Sequence, residues 1–387
     1  MVTRRPLALL YLFAVLPACG ALIGVKSLTE PDDDGGAGTG DARAPDAPSE
    51  TSTTLPDGAP LDGATCGDTT QSKDNCGRCG HSCLGGECKA SVCQPIPIAG
   101  SQGEVYGVTT DATHVYFASF TGNFVARVPK AGGVVQKLAT TGAFLARKVA
   151  VNATHVYWSA DDSPGVVSRC PISGCAPAPE VLATPQRPLG LALDSTSVYW
   201  ADRNSSELRR RPIGGGAEVK VADSTAGAPI AVAVDATQLF WIGDFTGQVE
   251  GASTDGGTFA VGTNGTSGRD LVLDKTYVYW GAAIDVGMDG KISRAPRSGA
   301  GPTELVGMAK GEPMGLAVDA SRLYWTAWDR KTDGGIVSAA VYTCSPTGCG
   351  AGPTTVAAAQ DRPRGIALDE TAIYWGVNGG VMKVAKP

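Results

Sequence analysis

The 387-residue chain has few aromatics, at 6%, and only three histidines. It contains no Gly-x-Ser-x-Gly elbow, no HExxH pair and no phosphate-binding loop, so no local signature of a serine hydrolase, a zinc protease or a nucleotide-binding enzyme is present. No block of Lys or Arg interrupts a formal net charge of -6, which argues against a nucleic-acid surface. The apolar run from Leu7 to Leu16 is too short to span a bilayer. What is abundant is glycine, at 52 residues, set between many short apolar runs. That pattern fits strands joined by tight turns better than helices.

One stretch recurs seven times: a polar turn that leads into an aromatic pair. The turns begin at Asp111, Asn152, Asp194, Asp235, Asp274, Asp319 and Asp369. The pairs are Tyr116-Phe117, Tyr157-Trp158, Tyr199-Trp200, Phe240-Trp241, Tyr279-Trp280, Tyr324-Trp325 and Tyr374-Trp375. A spacing of about 40 to 50 residues is that of one four-stranded propeller blade per repeat. Each unit reads as an apolar first strand such as Gly190-Leu-Ala-Leu193, the turn, the aromatic strand, a third strand ending near Pro, a Gly-rich turn and a fourth strand. Small residues in the first strand suit a crowded axis. The turn Asp or Asn can accept hydrogen bonds from backbone N–H groups two residues on, and its presence in every repeat makes it structural rather than catalytic.

The expected fold is therefore all-β: a β-propeller over residues 95–387, with seven four-stranded blades. The last repeat stops after its third strand, and Pro95-Ile-Pro-Ile-Ala99 can supply the fourth. Prolines suit such an edge strand. The Tyr-Trp repeats resemble the YWTD-type propellers of lipoprotein-receptor ectodomains and related bacterial repeat proteins over nearly all of this region. Only Tyr199-Trp200-Ala201-Asp202 keeps the terminal Asp of that motif. Those receptor propellers have six blades, whereas the motif count here is seven.

Upstream, Thr3-Arg4-Arg5 followed by Leu7 to Leu16 and Leu16-Pro17-Ala18-Cys19 reads as an export signal over residues 1–19. The final four residues resemble the lipobox of bacterial lipoproteins, which implies acylation of Cys19. Pro17 departs from that pattern, so simple signal cleavage stays open. Residues 20–65, rich in Asp, Gly, Pro and Ala, read as a disordered spacer. Residues 66–94 form a cysteine-rich module with Cys66, Cys76, Cys79, Cys83, Cys88 and Cys93. In an exported chain these read as three disulfides of unassigned connectivity. Zinc is the rival reading, since Cys76-Gly-Arg-Cys79 has ligand spacing and His81 is close by. Cys170 and Cys175, like Cys344 and Cys349, bracket equivalent turns and read as local staples. His114 and His155 occupy matching hairpin positions and read as solvent-facing.

If the propeller has a site, the repeat alignment assigns it to one face. Loops from a fourth strand to the next first strand supply Arg147, Arg187, Arg269, Asp270, Glu312, Arg362 and Arg364. Loops between second and third strands supply Phe120, Asp161, Asp162, Asp202, Arg203, Asp244, Phe245, Asp285, Asp289, Trp328, Asp329 and Arg330. Trp328 is the one tryptophan outside the repeat motif, and it is expected to be exposed with Phe120 and Phe245 as a recognition surface. The expected function is an envelope-anchored or secreted binding or adhesion head for an extracellular protein, peptide or glycan. It is expected to act as a monomer without metal, cofactor or catalysis, and to meet the membrane only through an N-terminal lipid. The alternative is a metal-dependent propeller enzyme of lactonase or polysaccharide lyase type with an axial site.

Overall fold

A computed structural model describes residues 66–387 apart from 143–144, 255, 264, 266, 285–288, 302 and 331–334. The segments expected to be a signal and a spacer, the expected acylation at Cys19, and Asp285 lie outside the described residues.

All named elements are β-strands, and the repeated turn explains why they form where they do. Asp194 Oδ1 accepts from the backbone N–H of Thr196 at 2.6 Å and of Ser197 at 2.7 Å, which closes the turn. Its Oδ2 accepts from the Tyr199 hydroxyl at 2.8 Å, which ties the turn to the first aromatic of the next strand. Asp111 with Tyr116, Asp274 with Tyr279 and Asp369 with Tyr374 repeat this bond at 2.7, 2.8 and 2.9 Å. At two turns a cation reaches the second carboxylate oxygen instead. Phe240 has no hydroxyl, and Asp235 Oδ2 accepts from Arg297 instead; Asp319 Oδ2 accepts from Lys386 Nζ at 2.8 Å. The second aromatic of each pair is wholly buried, as are the tyrosines, so the motif is blade core.

Five sheets have four strands each, and a sixth has six. Counted as hydrogen-bonded sheets, the blades are therefore six and not the seven expected from the motif count. The cause is the 15-residue strand Ile96–Thr110. Its first part pairs with the strand Ala372–Ala385 and its second part with His114–Ser119, so the first and last repeats share one sheet. That sheet holds two motif copies, Phe117 and Trp375, while each other sheet holds one. The pairing of Ala99 with Val381 and of Ile96 with Lys383 joins the two ends of the propeller without a covalent link.

Around the axis the innermost strands approach backbone to backbone. A Cβ on Gly107 would lie 2.6 Å from the Arg147 carbonyl oxygen, one on Gly315 2.6 Å from that of Arg364, and one on Gly365 2.4 Å from that of Tyr106. The last contact runs from the final repeat back to the first and closes the ring. A side chain at these positions would push neighbouring strands apart, which is why the sequence holds glycine there.

The cysteine module forms the disulfides Cys66–Cys79, Cys76–Cys88 and Cys83–Cys93 around the hairpin Cys88–Lys89 and Val92–Cys93. The zinc reading is thereby corrected. The sulfurs of Cys76, Cys83 and Cys93 lie close together, but each is already committed to a disulfide, Cys76 to Cys88 and Cys83 to Cys93, and both His81 ring nitrogens face backbone carbonyls. These belong to Cys76, at 2.5 Å, and Lys386, at 2.7 Å. Four of the six cysteines pack into one apolar cluster with Val356, Trp375 and Val384, so the module is docked on the shared sheet. Cys170–Cys175 and Cys344–Cys349 each close a turn between third and fourth strands.

Two predictions follow from this packing. Gly315→Ala is expected to cost about 1–3 kcal/mol, read as a lower thermal midpoint. Gly214→Ala, where an added Cβ meets nothing within 4 Å, serves as the near-neutral control. The second concerns acid stability. Burial raises the Asp319 carboxyl, but Lys386 and the turn N–H groups of Ser321 and Arg322 bring it down to about 2. A folded value below the unfolded one contributes stability above about pH 4 that is lost as pH falls toward 2. Asp319→Asn is expected to flatten the dependence of unfolding free energy on pH in that window by on the order of 1–2 kcal/mol, measured by urea melts.

Candidate functional site: an axial funnel lined by cations

In six innermost strands the ladder to the second strand skips one residue at the same place. These strands run 96–110, 145–151, 188–193, 229–234, 267–273 and 312–318, and the skipped residues are Tyr106, Arg147, Leu189, Ile230, Arg269 and Met314. A bulge of this kind leaves the extra residue unpaired and re-aims its side chain. Arg364 holds the corresponding place ahead of the strand Ile366–Leu368. All seven line one funnel of about 390 Å³ on the axis. Lys148, Arg187 and Arg203 join them, with Asp244 and Glu312 as the only acids on the wall among the described residues.

The arginines are held from behind by carboxylates. Asp161, only 4% exposed, accepts from Arg187 Nε at 2.7 Å and from Arg147 Nε at 2.8 Å. Burial alone would raise the Asp161 carboxyl, but these two guanidinia hold it below the ordinary value. Asp244 takes Arg203 at 2.8 Å and Arg269 at 3.7 Å, and Arg269 also reaches Glu312 at 3.2 Å. Glu104 takes Arg362 at 3.1 Å and Arg364 at 3.7 Å. A guanidinium has five N–H donors in a planar fork, so one or two anchoring bonds leave further donors for a ligand. Because the anchoring acids are shared between pairs of arginines, the wall keeps an excess of positive charge on a chain that is acidic overall.

Immediately after the bulge, where Gly107, Gly190, Gly315 and Gly365 stand in other repeats, two repeats carry Lys148 and Asp270 instead. Three repeats apart, they meet across the axis at 3.0 Å. Asp270 is 8% exposed and its other oxygen accepts from the Leu316 N–H at 3.1 Å. This ion pair floors the funnel.

The aromatics expected to form an exposed recognition surface fall into different roles. Trp328 is 5% exposed, not solvent-facing. It lies on the strand Leu323–Arg330, which runs on through the expected loop, and the Arg364 guanidinium carbon sits 5.0 Å from its ring. Phe120 stacks on Tyr106 with centroids 4.2 Å apart, and Arg147 lies 5.0 Å from both rings. Arg364 covers Tyr106 at 3.8 Å. These rings orient arginines. Phe245 alone of the three is exposed, at 67%, with Arg203 5.1 Å from its ring. Asp202 is 2% exposed and caps the backbone N–H groups of Gln186 and Arg187, so it shapes the loop that carries Arg187 rather than facing the funnel. Asp329 is half-buried on its strand, and the Arg330 side chain lies outside the described residues.

Sequence reasoning assigned Arg147, Arg187, Arg203, Asp244, Arg269, Glu312 and Arg364 to one face, and the structure brings them together. It missed Tyr106, Lys148, Leu189, Ile230, Met314 and the anchoring Glu104. A signal existed: once the repeats are aligned on the first-strand glycine, the residue just before it is the one that faces the lumen.

The fold and site define a β-propeller with a cation-lined axial funnel. No protein-family profile matches the sequence, and no curated protein matches it. Solved structures do match. A streptogramin B lyase superposes with a TM-score of 0.61 at 9% identity, covering 75% of this chain and 96% of that one. The virginiamycin B lyase from Staphylococcus aureus gives 0.62 at 12%, covering 76% and 98%. The WD40 propeller domain of Doa1 gives 0.60 at 12%, covering 75% and 95%. At these identities the likeness shows the propeller fold and nothing finer.

Asp161→Ala would leave two partly buried guanidinia without their shared anion. It is expected to destabilise the protein by about 1–3 kcal/mol after allowance for solvent screening. A denaturant melt in low and high salt checks this, with the larger loss in low salt.

Proposed function

We propose that the chain is a non-catalytic binding head whose propeller draws an anionic group of an extracellular protein, peptide or glycan into the axial funnel. The observation that carries this reading is the wall itself: with Lys148 offset by Asp270, it keeps five arginines whose anchoring carboxylates are partly shared, on a chain of net charge -6. Fixed arginine forks suit carboxylate, sulfate or phosphate groups, and because the arginines are already anchored, little ordering entropy is lost on binding. The Tyr-Trp repeats, which resemble those of receptor-ectodomain propellers, support a binding role. The lipobox-like Leu16-Pro17-Ala18-Cys19 and the spacer that follows support a head tethered to a bacterial envelope.

The metal-enzyme alternative finds no support in the funnel, whose carboxylates are engaged by arginines and do not gather into a ligand set among the described residues.

Arrays of neutral and acidic peptides and glycans, probed with the full chain, test the reading. Hits are expected to be acidic, weakened by salt, and weakened about tenfold or more by Arg187→Ala with Arg269→Ala. The surface control Lys220→Ala is expected to have no effect. Neutral hits, or acidic hits untouched by the double substitution, would overturn it. The tether is tested by Cys19→Ala, which is expected to move the protein from the membrane fraction to the soluble one.

A further inference from the structure

The funnel is amphipathic, and one feature outside it matches that character. Leu189, Ile230 and Met314 place apolar side chains on the wall among the cations. At the rim, Phe245 is the one aromatic among the exposed large hydrophobics of the described residues. It adjoins Asp244 in sequence, and Arg203 lies 5.1 Å from its ring while also forming the ion pair with Asp244 that lines the funnel. Two neighbouring loops, one carrying Arg203 and the other Asp244 and Phe245, thus offer an apolar face and a fixed guanidinium side by side. An exposed phenylalanine beside an arginine is the composition of a protein-recognition hot spot.

Glycan recognition would draw on different parts. Sugar rings stack on open aromatic faces, and inside the funnel none is open, since the Tyr106 ring is stacked on Phe120 and covered by Arg364 at 3.8 Å. The residues lining the funnel include no Ser, Thr, Asn or Gln, so apart from the Tyr106 hydroxyl its side-chain polar groups are charged and favour a charged ligand over a neutral one.

Resting on the anion-binding reading above, we propose that the ligand is an acidic peptide segment of a partner protein. Its carboxylates enter the funnel and an aromatic or large apolar side chain beside them packs on Phe245. Charge complementarity sets the first contact, and apolar burial at the rim selects among acidic sequences.

Titration calorimetry of the full chain with three probes tests this. Ac-Glu-Glu-Trp-Glu-Glu-NH2 and Ac-Glu-Glu-Gly-Glu-Glu-NH2 carry equal charge and differ in the ring, and tetragalacturonate carries the same charge on a glycan. The Trp peptide is expected to bind about tenfold tighter than the Gly peptide. Phe245→Ala should erase that difference while leaving the Gly peptide unchanged, and Phe245→Tyr should retain it. The side chain is solvent-exposed, so these variants keep the core intact, and unchanged Gly-peptide affinity reports a folded funnel. Equal affinity for the two peptides, equal loss of both in Phe245→Ala, or tighter binding of tetragalacturonate would overturn the peptide proposal and leave the anion-binding reading standing. Failure of all three probes to bind would overturn both.

Discussion

The structure depends on how closely the innermost strands approach one another at the axis. At Gly107, Gly315 and Gly365 the backbone of one repeat meets the carbonyl oxygen of the next at distances that admit no Cβ. Strands so crowded cannot all run as regular ladders through the axis, and six of them carry a bulge one residue earlier. The bulge that accompanies this packing also aims a side chain into the lumen. The chemistry of the funnel is therefore written at a position that the packing of the fold singles out.

A second layer makes that position usable. Like charges gathered in a narrow space repel, and a ring of arginines would open the propeller unless compensated. Asp161, Asp244 and Glu104 each serve two arginines, and Lys148 and Asp270 cancel each other on the floor. The compensation keeps the fold intact while leaving cationic donors directed at the lumen. Aromatic rings complete the support: Trp328, Tyr106 and Phe120 pack against guanidinium groups and restrict where they can point.

The polar turn shows how a repeat tolerates change. Its aspartate bonds two backbone N–H groups and one tyrosine hydroxyl. When Phe240 removes the hydroxyl, Arg297 comes from elsewhere to satisfy the free oxygen of Asp235, and Lys386 does so for Asp319. Lys386 lies at the chain's end, where its carbonyl also meets His81 of the cysteine module. The module, the C-terminal segment and one repeat turn are thus tied at the sheet where the two ends of the propeller meet.

The propeller fold was legible in the sequence because each repeat solves the same local problem with the same kinds of residue, an Asx-type turn and a buried aromatic pair, and four of them add a glycine at the axis. The alignment of those repeats also assigned the arginines to one face, since loop direction follows from strand alternation. Pairing across the repeats was not legible. Whether Ile96–Thr110 runs as one strand, merging the first and last repeats into one sheet, depends on hydrogen bonds between residues almost 300 positions apart. The disulfide connectivity, the burial of Trp328 and the meeting of Lys148 with Asp270 are of the same kind. A sequence of this type determines local geometry and periodicity, because turns and buried pairs act over a few residues. Only the tertiary structure decides which side chains share a cavity, because that is set by the closure of the ring.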